Sequence, residues 1–375
     1  MPMMSGGQSP KLLGDSYYCQ PGPWGMLEVV RVMLAPPLEL TKYFKQEVRA
    51  DAWFFPALSV PQLETLFQQF GLPSDMNARL LQKAKKSTAL GGIEIKLRPE
   101  TVAELPPEAR SKLYSWLANS SDHSPQFNAF RYFGESVDTW LEHANLRAST
   151  IDLVRPYIYR HGHFLKFADL KAVTDKLRDA KEAELLIKAL SREITLRARL
   201  HLNRADDLEG IVAYWGHSHR ENDVRPVLES FSHFEQEQTI DIVHLLPPLP
   251  RRLLYTYPHP PQNKNYLERT CYWTSLNFFN EEPDNRWLNL GAVHQTIITQ
   301  WQPITGEPTL GDMALFVDTA GDAYHAAVYI ADDILFSKNG PSVVRPWMLI
   351  HAKYLQHFYY RETPLEIRYY RKITQ

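Results

Sequence analysis

The chain has little cysteine: two residues, Cys19 and Cys271, among 375. Two thiols so far apart exclude a disulfide framework and any site built from several thiolates, leaving at most one bridge. A surplus of charge is missing as well, because 41 Lys and Arg residues face 43 Asp and Glu. That balance creates no large field and argues against a general nucleic-acid binder or a polybasic membrane anchor. No apolar run approaches the ~20 residues that a membrane span needs. The opening MPMMSGGQSPKLLGD has neither the basic nor the apolar stretch of a secretory leader, and reads as a loose tail. The expectation is no membrane span and no nucleic-acid partner, with a cytoplasmic location as the chain stands. An envelope or secreted location follows instead if a leader was removed.

What is present is globular. Apolar residues make up 44% and aromatics 12%, enough for sizeable cores, and the length predicts two or three domains. Residues 1–104 read as a mixed α/β region. LEVVRVMLAP and DAWFFPALSV are short, proline-ended strands, and GIEIKLRP alternates Ile93, Ile95 and Leu97. SVPQLETLFQQFG and SDMNARLLQKAKK read as helices capped by Ser59 and Ser74. Residues 105–245 read as a helical region. It includes a strongly helix-forming stretch over 168–200, with Arg192 to Arg199 on its solvated face. The proline-dense residues 246–265 bar helix and central strand alike and read as a linker.

Residues 266–375 change character. TCYWTSLNFFN predicts a helix opening at Cys271 with Thr270 as cap. LGDMALF, AYHAAVYIADD and ILFSKNG then predict three strands joined by tight turns, and PLEIRYYRKI a further one. A thiol nucleophile needs its thiolate, which a free cysteine of pKa ~8.5 supplies sparingly at neutral pH. The dipole of a helix N-terminus and a neighbouring imidazole favour the thiolate, and a third polar group holds the imidazole in its useful tautomer. Cys271 at a helix start and His325 at the head of a later strand fit those roles. The third group depends on hairpin register. A two-residue turn from Ala331 to Ile334 puts Gly340 opposite His325 and Lys338 nearest on that face. A shift of one residue presents Ser337 and Asn339 instead. Lysine cannot accept a hydrogen bond from the ring, so Asn339 and Ser337 are the joint candidates.

This order of a cysteine helix, LGDMALF and then YHAAVYIADDILF resembles the NlpC-type cell-wall cysteine peptidases of the papain-like fold. That family has a PGDLVFF-like strand and an HVGIYIG-like strand carrying the base. The resemblance covers residues 266–375. It implies that Cys271 is the nucleophile and His325 the base, that Gly311 and Asp312 form the turn into the central strand, and that Ser337 has the orienting residue's spacing. The family's DCSG appears here as Thr270-Cys271-Tyr272-Trp273, which suggests a differently shaped cleft. No YxxGG precedes it, and Tyr255, Tyr257 and Tyr266 are the nearby upstream tyrosines.

The expected architecture is therefore α+β: a helix-rich N-terminal region, then a papain-like domain whose nucleophile-bearing helix packs on an antiparallel sheet. The expected activity is thiol hydrolysis or acyl transfer on an amide, peptide or related acyl bond, with cell-wall peptide as one substrate. The alternative is a non-catalytic binding protein that uses the helical region for a protein partner and carries a degenerate NlpC-type domain. No cofactor and no metal are expected. The pairs His161/His163 and His217/His219 lack helpful carboxylate spacing, and Asp332 and Asp333 read as turn residues.

Overall fold

Period-two alternation marks the early strands, and burial follows it there. In the stretch Met26–Leu34, Leu27, Val29 and Val32 are buried while Arg31 is exposed. The computed structural model describes residues 11–44, 52–87, 91–96, 98–120, 125–134, 136–204, 206–260, 268–358 and 365–373. Residues 1–10 of the tail, Leu97, the end of the expected linker and Tyr266 lie outside them.

The chain is mixed helix and sheet, in two compact units: Pro37–Arg192, and Met1–Pro36 with Glu193–Gln375. In the first, residues 52–56, 92–96 and 84–87 form one three-stranded antiparallel sheet, and residues 130–132, 164–167 and 159–161 another. Trp53, Phe55, Leu63, Phe67, Ile93, Ile95 and Leu113 are buried there. Ser59 caps its helix through a capping box with Gln62. The helix Ser74–Leu81 instead starts at Ser74, with Pro73 in the cap position.

The second unit carries two antiparallel sheets. Strands β1 (Lys11–Tyr18), β2 (Met26–Leu34), β3 (Glu193–Leu202) and β4 (Gln238–Asp241) pair in that order. The second sheet contains β5 (Trp301–Pro303), β6 (Met313–Val317), β7 (Ala323–Ala331), β8 (Ile334–Lys338), β9 (Trp347–His351) and β10 (Glu366–Lys372). Their spatial order is β5-β10-β6-β7-β8-β9. One face of this sheet, through Leu315, Val328, Phe336 and Trp347, joins Leu27, Leu196, Trp273 and Leu276 in a single core. The other face, through Phe316, Ala327, Leu335 and Met348, packs on Leu355. The sheets are tied where the Thr195 hydroxyl donates to the Leu349 carbonyl at 2.8 Å. Among the described residues no helix is long and apolar enough to cross a membrane.

Three expectations give way. The units break at 36/37 and 192/193, not at 104/105 and 245/246, and residues 105–245 contain strands as well as helices. The stretch 193–202 is a strand, not a helix face. Its Leu196, Ala198, Leu200 and Leu202 alternate inward, and pairing with β2 overrides local helix propensity. Leu34 pairs with Glu193, so the intervening unit is an excursion from the end of one ladder. The expected linker holds the helix Pro248–Leu253 and buries Leu249, Pro250 and Leu254. Its prolines sit at the helix start, where a missing N–H costs nothing.

Gly311, at the entry to β6, has φ of +95°, and a side chain there would run into the Phe279 ring. Gly311→Ala is expected to destabilise the protein by about 3 kcal/mol, through left-handed backbone strain plus overpacking. An unchanged urea midpoint would rule this out.

Candidate active site

Cys271 is the first residue of the helix Cys271–Leu276, and Thr270 caps it by accepting from the Trp273 amide. The residues after the cysteine anchor the helix. The Tyr272 hydroxyl donates to the Ala323 carbonyl at 2.8 Å, fastening the helix to the start of β7. Trp273 is fully buried, with its indole N–H on Asn285 Oδ1 at 3.2 Å. The Trp347 indole donates to Thr274 Oγ1 at 3.0 Å, fastening the helix to β9. The bulk that departs from the family's small residues thus serves as anchorage.

The Cys271 thiol meets β7 at the backbone amide of Ala326, the residue after His325, and also faces the amides of Tyr272 and Cys271. Burial pushes its pKa up, and those amides and the Lys338 charge work against that rise. Cys19 and Cys271 are both free thiols.

His325 lies on the sheet face shared with Phe316, its partner across β6, with ring centroids 5.7 Å apart. Its Nε2 is 2.7 Å from Ser337 Oγ, and the Ser337 hydroxyl is 2.9 Å from Asn339 Oδ1. Asn339 Nδ2 points at the Met348 sulfur at 3.6 Å. With the amide so oriented, Ser337 spends its proton on Asn339 and must accept from Nε2–H. The neutral ring is then the Nε2–H tautomer, with Nδ1 as its basic nitrogen.

Both joint candidates are therefore in the hydrogen-bond chain that starts at His325, because of a register shift. Ala331 pairs with Ile334 as a two-residue turn requires, but between Ala331 and Tyr329 the ladder slips to Tyr329–Leu335 and Val328–Phe336. Continuing that register sets Asn339, not Gly340, opposite His325. It also turns Lys338 to the other face, the face of the Cys271 helix. The β7–β8 pairing ends at Val328–Phe336, so Ala326 and Lys338 lie beyond the last paired residues.

Lys338 is the residue whose placement on the thiol's side of the sheet the sequence did not reveal. It is fully buried, and its ammonium donates to the Gly340 carbonyl at 2.6 Å and the Ser342 carbonyl at 3.1 Å. Burial brings its pKa down to about 7, with Glu268 and Cys271 pulling the other way. The signal was present only as a lysine at the end of the short strand ILFSK.

Gly311 and Asp312 do form the turn into β6. Asp312 accepts from the Thr309 amide at 2.8 Å and pairs with Arg371 through both oxygens. This serves the sheet and not the thiol. Of the upstream tyrosines, Tyr255 donates to the Leu196 carbonyl at 2.8 Å, whereas the Tyr257 hydroxyl is buried without a hydrogen-bond partner among the described residues. Asp333 pairs with His351, and Asp332 accepts from the Gln20 amide. His161 contacts the Ser111 and Ser115 hydroxyls, His163 packs near Phe133, and His217 near Phe279. Among the described residues no three His, Cys, Asp or Glu side chains are grouped to hold a metal ion. No family model matches the chain, and no curated protein or solved structure matches it either.

Burial holds the His325 pKa down to about 3, against 6.5 for a free histidine. Between those values the unfolded chain binds a proton that the folded one refuses, so stability falls as pH falls through the window. Wild type is expected to lose stability there with an extra slope of up to about 1.4 kcal/mol per pH unit relative to His325→Gln. Parallel urea-stability curves for the two proteins between pH 4 and pH 6 would count against the assignment.

Proposed function

We propose that the protein is a thiol hydrolase or acyltransferase of the NlpC-type, papain-like kind, acting on an amide, peptide or related acyl bond. The observation that carries this reading is the oriented His325–Ser337–Asn339 chain on the strand that meets the Cys271 thiol. The imidazole is held in one tautomer and neighbours in sequence the residue whose amide meets the thiol. It lies on the sheet face opposite the Cys271 helix, so the reading requires the start of β7 to turn before the pair can act together.

The raised thiol and lowered imidazole pKa values make the resting pair neutral. In the proposed reaction, with the start of β7 turned so that the imidazole reaches the sulfur, Sγ attacks the carbonyl carbon while its proton passes to Nδ1, and the carbonyl pair moves onto oxygen. Backbone amides at the helix start stabilise that oxyanion, aided by the helix dipole. Collapse breaks the bond to the leaving amine, which takes the proton from Nδ1 and leaves a thioester on Cys271. Water releases the acyl group in hydrolysis, and a second amine or hydroxyl does so in transfer. Lys338 favours the sulfur's negative charge as it develops. Cell-wall peptide is the substrate class that the resemblance suggests.

A second reading, a non-catalytic binding protein, is favoured by the sealing of the pair: Cys271 is 8% exposed and His325 0%. In it the unit Pro37–Arg192 recognises a protein partner and the thiol is core. Peptidoglycan fragments, isopeptides and thioesters, each mixed with the protein and quenched in acid, decide between them. The catalytic reading expects a thioester adduct mapped to Cys271 by peptide mass. Adduct-free protein with every substrate, together with iodoacetamide labelling of Cys271 only after denaturation, supports the second reading.

A further inference from the structure

A cavity of about 800 Å³ lies at the opposite end of the Cys271 helix from the thiol. Its walls come from the last turn of that helix, the Phe278–Phe279 pair, the entry to β6, the loop at His217–His219 and the end of β10. The volume suits a small organic molecule. The floor is aromatic: Phe278 and Phe279 meet edge to face with centroids 5.0 Å apart.

Three features of the walls point to a ligand. Ser275 lines the cavity, is 2% exposed, and its hydroxyl has no hydrogen-bond partner among the described residues. A buried hydroxyl left so is destabilising unless an incoming group completes it. Ser218 and His219 are two successive non-glycine residues in the left-handed region, with φ of 65° and 64°. Such strain collects where a binding surface must be held in shape. The charged groups then divide into spent and unspent. Asp312 and Arg371 neutralise each other, whereas Lys372 and Glu221 make no ion pair among the described residues. One uncommitted cation and one uncommitted carboxylate facing an aromatic floor match a ligand with one charge of each sign.

We propose that this cavity binds a zwitterion of the amino-acid or short-peptide class carrying an aromatic side chain. Its carboxylate meets Lys372, its ammonium meets Glu221, and its ring packs on Phe278 and Phe279. The site stands apart from the thiol chemistry, so Cys271→Ala leaves binding unchanged and serves as the background in which no probe is consumed.

Calorimetric titration of the full-length Cys271→Ala protein with the dipeptide Gly-Phe tests this. Saturable binding at one site is expected. Lys372→Met should weaken Gly-Phe by about tenfold or more, the worth of one charge-assisted contact, but leave Gly-Phe-amide unaffected. Glu221→Gln should do the same for Gly-Phe relative to its N-acetyl form. Both positions are exposed, so the variants fold as the parent does. Absence of saturable binding overturns the proposal. So does equal binding of Gly-Phe by parent and both variants, which would mark apolar adsorption alone.

Discussion

Cys271→Ala is expected to lower turnover of a responsive acyl substrate by about a thousandfold or more, with the stability of the protein changed little. The size follows from what the residue supplies. Without the sulfur no thioester forms, and the two easier steps revert to one direct attack by water. His325→Gln should cost a similar factor, because a thiol with a raised pKa cannot shed its proton without the base. The double variant should then be scarcely slower than either single one, since residues that act as a unit are not additive. Turnover measured for all three proteins against wild type is the check. Multiplying single-variant effects would mean that the two residues contribute independently, and the coupled mechanism would fall. Ser337→Ala tests the relay at a smaller scale. It frees the imidazole tautomer while leaving sulfur and base in place, so turnover should fall by about a hundredfold with substrate affinity held.

Lys338→Met is expected to act in opposite directions on stability and reactivity. A fully buried amine whose pKa has come down to about 7 carries its full desolvation cost below that value. Above the unfolded pKa of about 10.4 it is neutral in both states and the cost is gone. Between the two the unfolded chain binds the extra proton, so wild type gains stability as pH rises. Methionine fills similar volume with no charge to bury, but it strands the Gly340 and Ser342 carbonyls that the ammonium now satisfies. The variant should therefore be more stable by about 2 kcal/mol near pH 6, an order-of-magnitude difference between those two effects. Its advantage should shrink and then reverse toward pH 10. Removal of the cation also lets the Cys271 pKa rise further, so alkylation by iodoacetamide at pH 6, where Lys338 is charged, should slow by about tenfold per unit of rise. A stability difference independent of pH, or unchanged alkylation, would show that Lys338 is neither desolvated nor coupled to the thiol. A residue kept at a cost in stability beside the proposed nucleophile is the pattern expected of a functional group.

Much of the local structure was legible along the chain. The cap at Thr270 and the break before it place Cys271 at a helix start, because a threonine oxygen meets an unpaired amide there in any fold. The strand Ala323–Ala331 and the Gly311–Asp312 turn likewise follow from side-chain size and backbone freedom. The stretch 193–202 was not legible. Its charges and leucines satisfy a helix as well as a strand, and only a ladder partner from residues 26–34 decides between them. The same holds for the unit boundaries, which depend on strands distant in sequence finding each other.

The sequence by itself determined which residue types stand ready for thiol chemistry and on which elements they ride. Tertiary structure decided how they combine. A one-residue slip between Tyr329 and Ala331, a matter of hairpin geometry and not of composition, turned Ser337 and Asn339 toward His325. The same slip sent Lys338 through the sheet to the thiol's side, where packing against Trp347 removed it from water. Side-chain identity is local, whereas register and burial are collective, because each strand's face is set by the partner it pairs with.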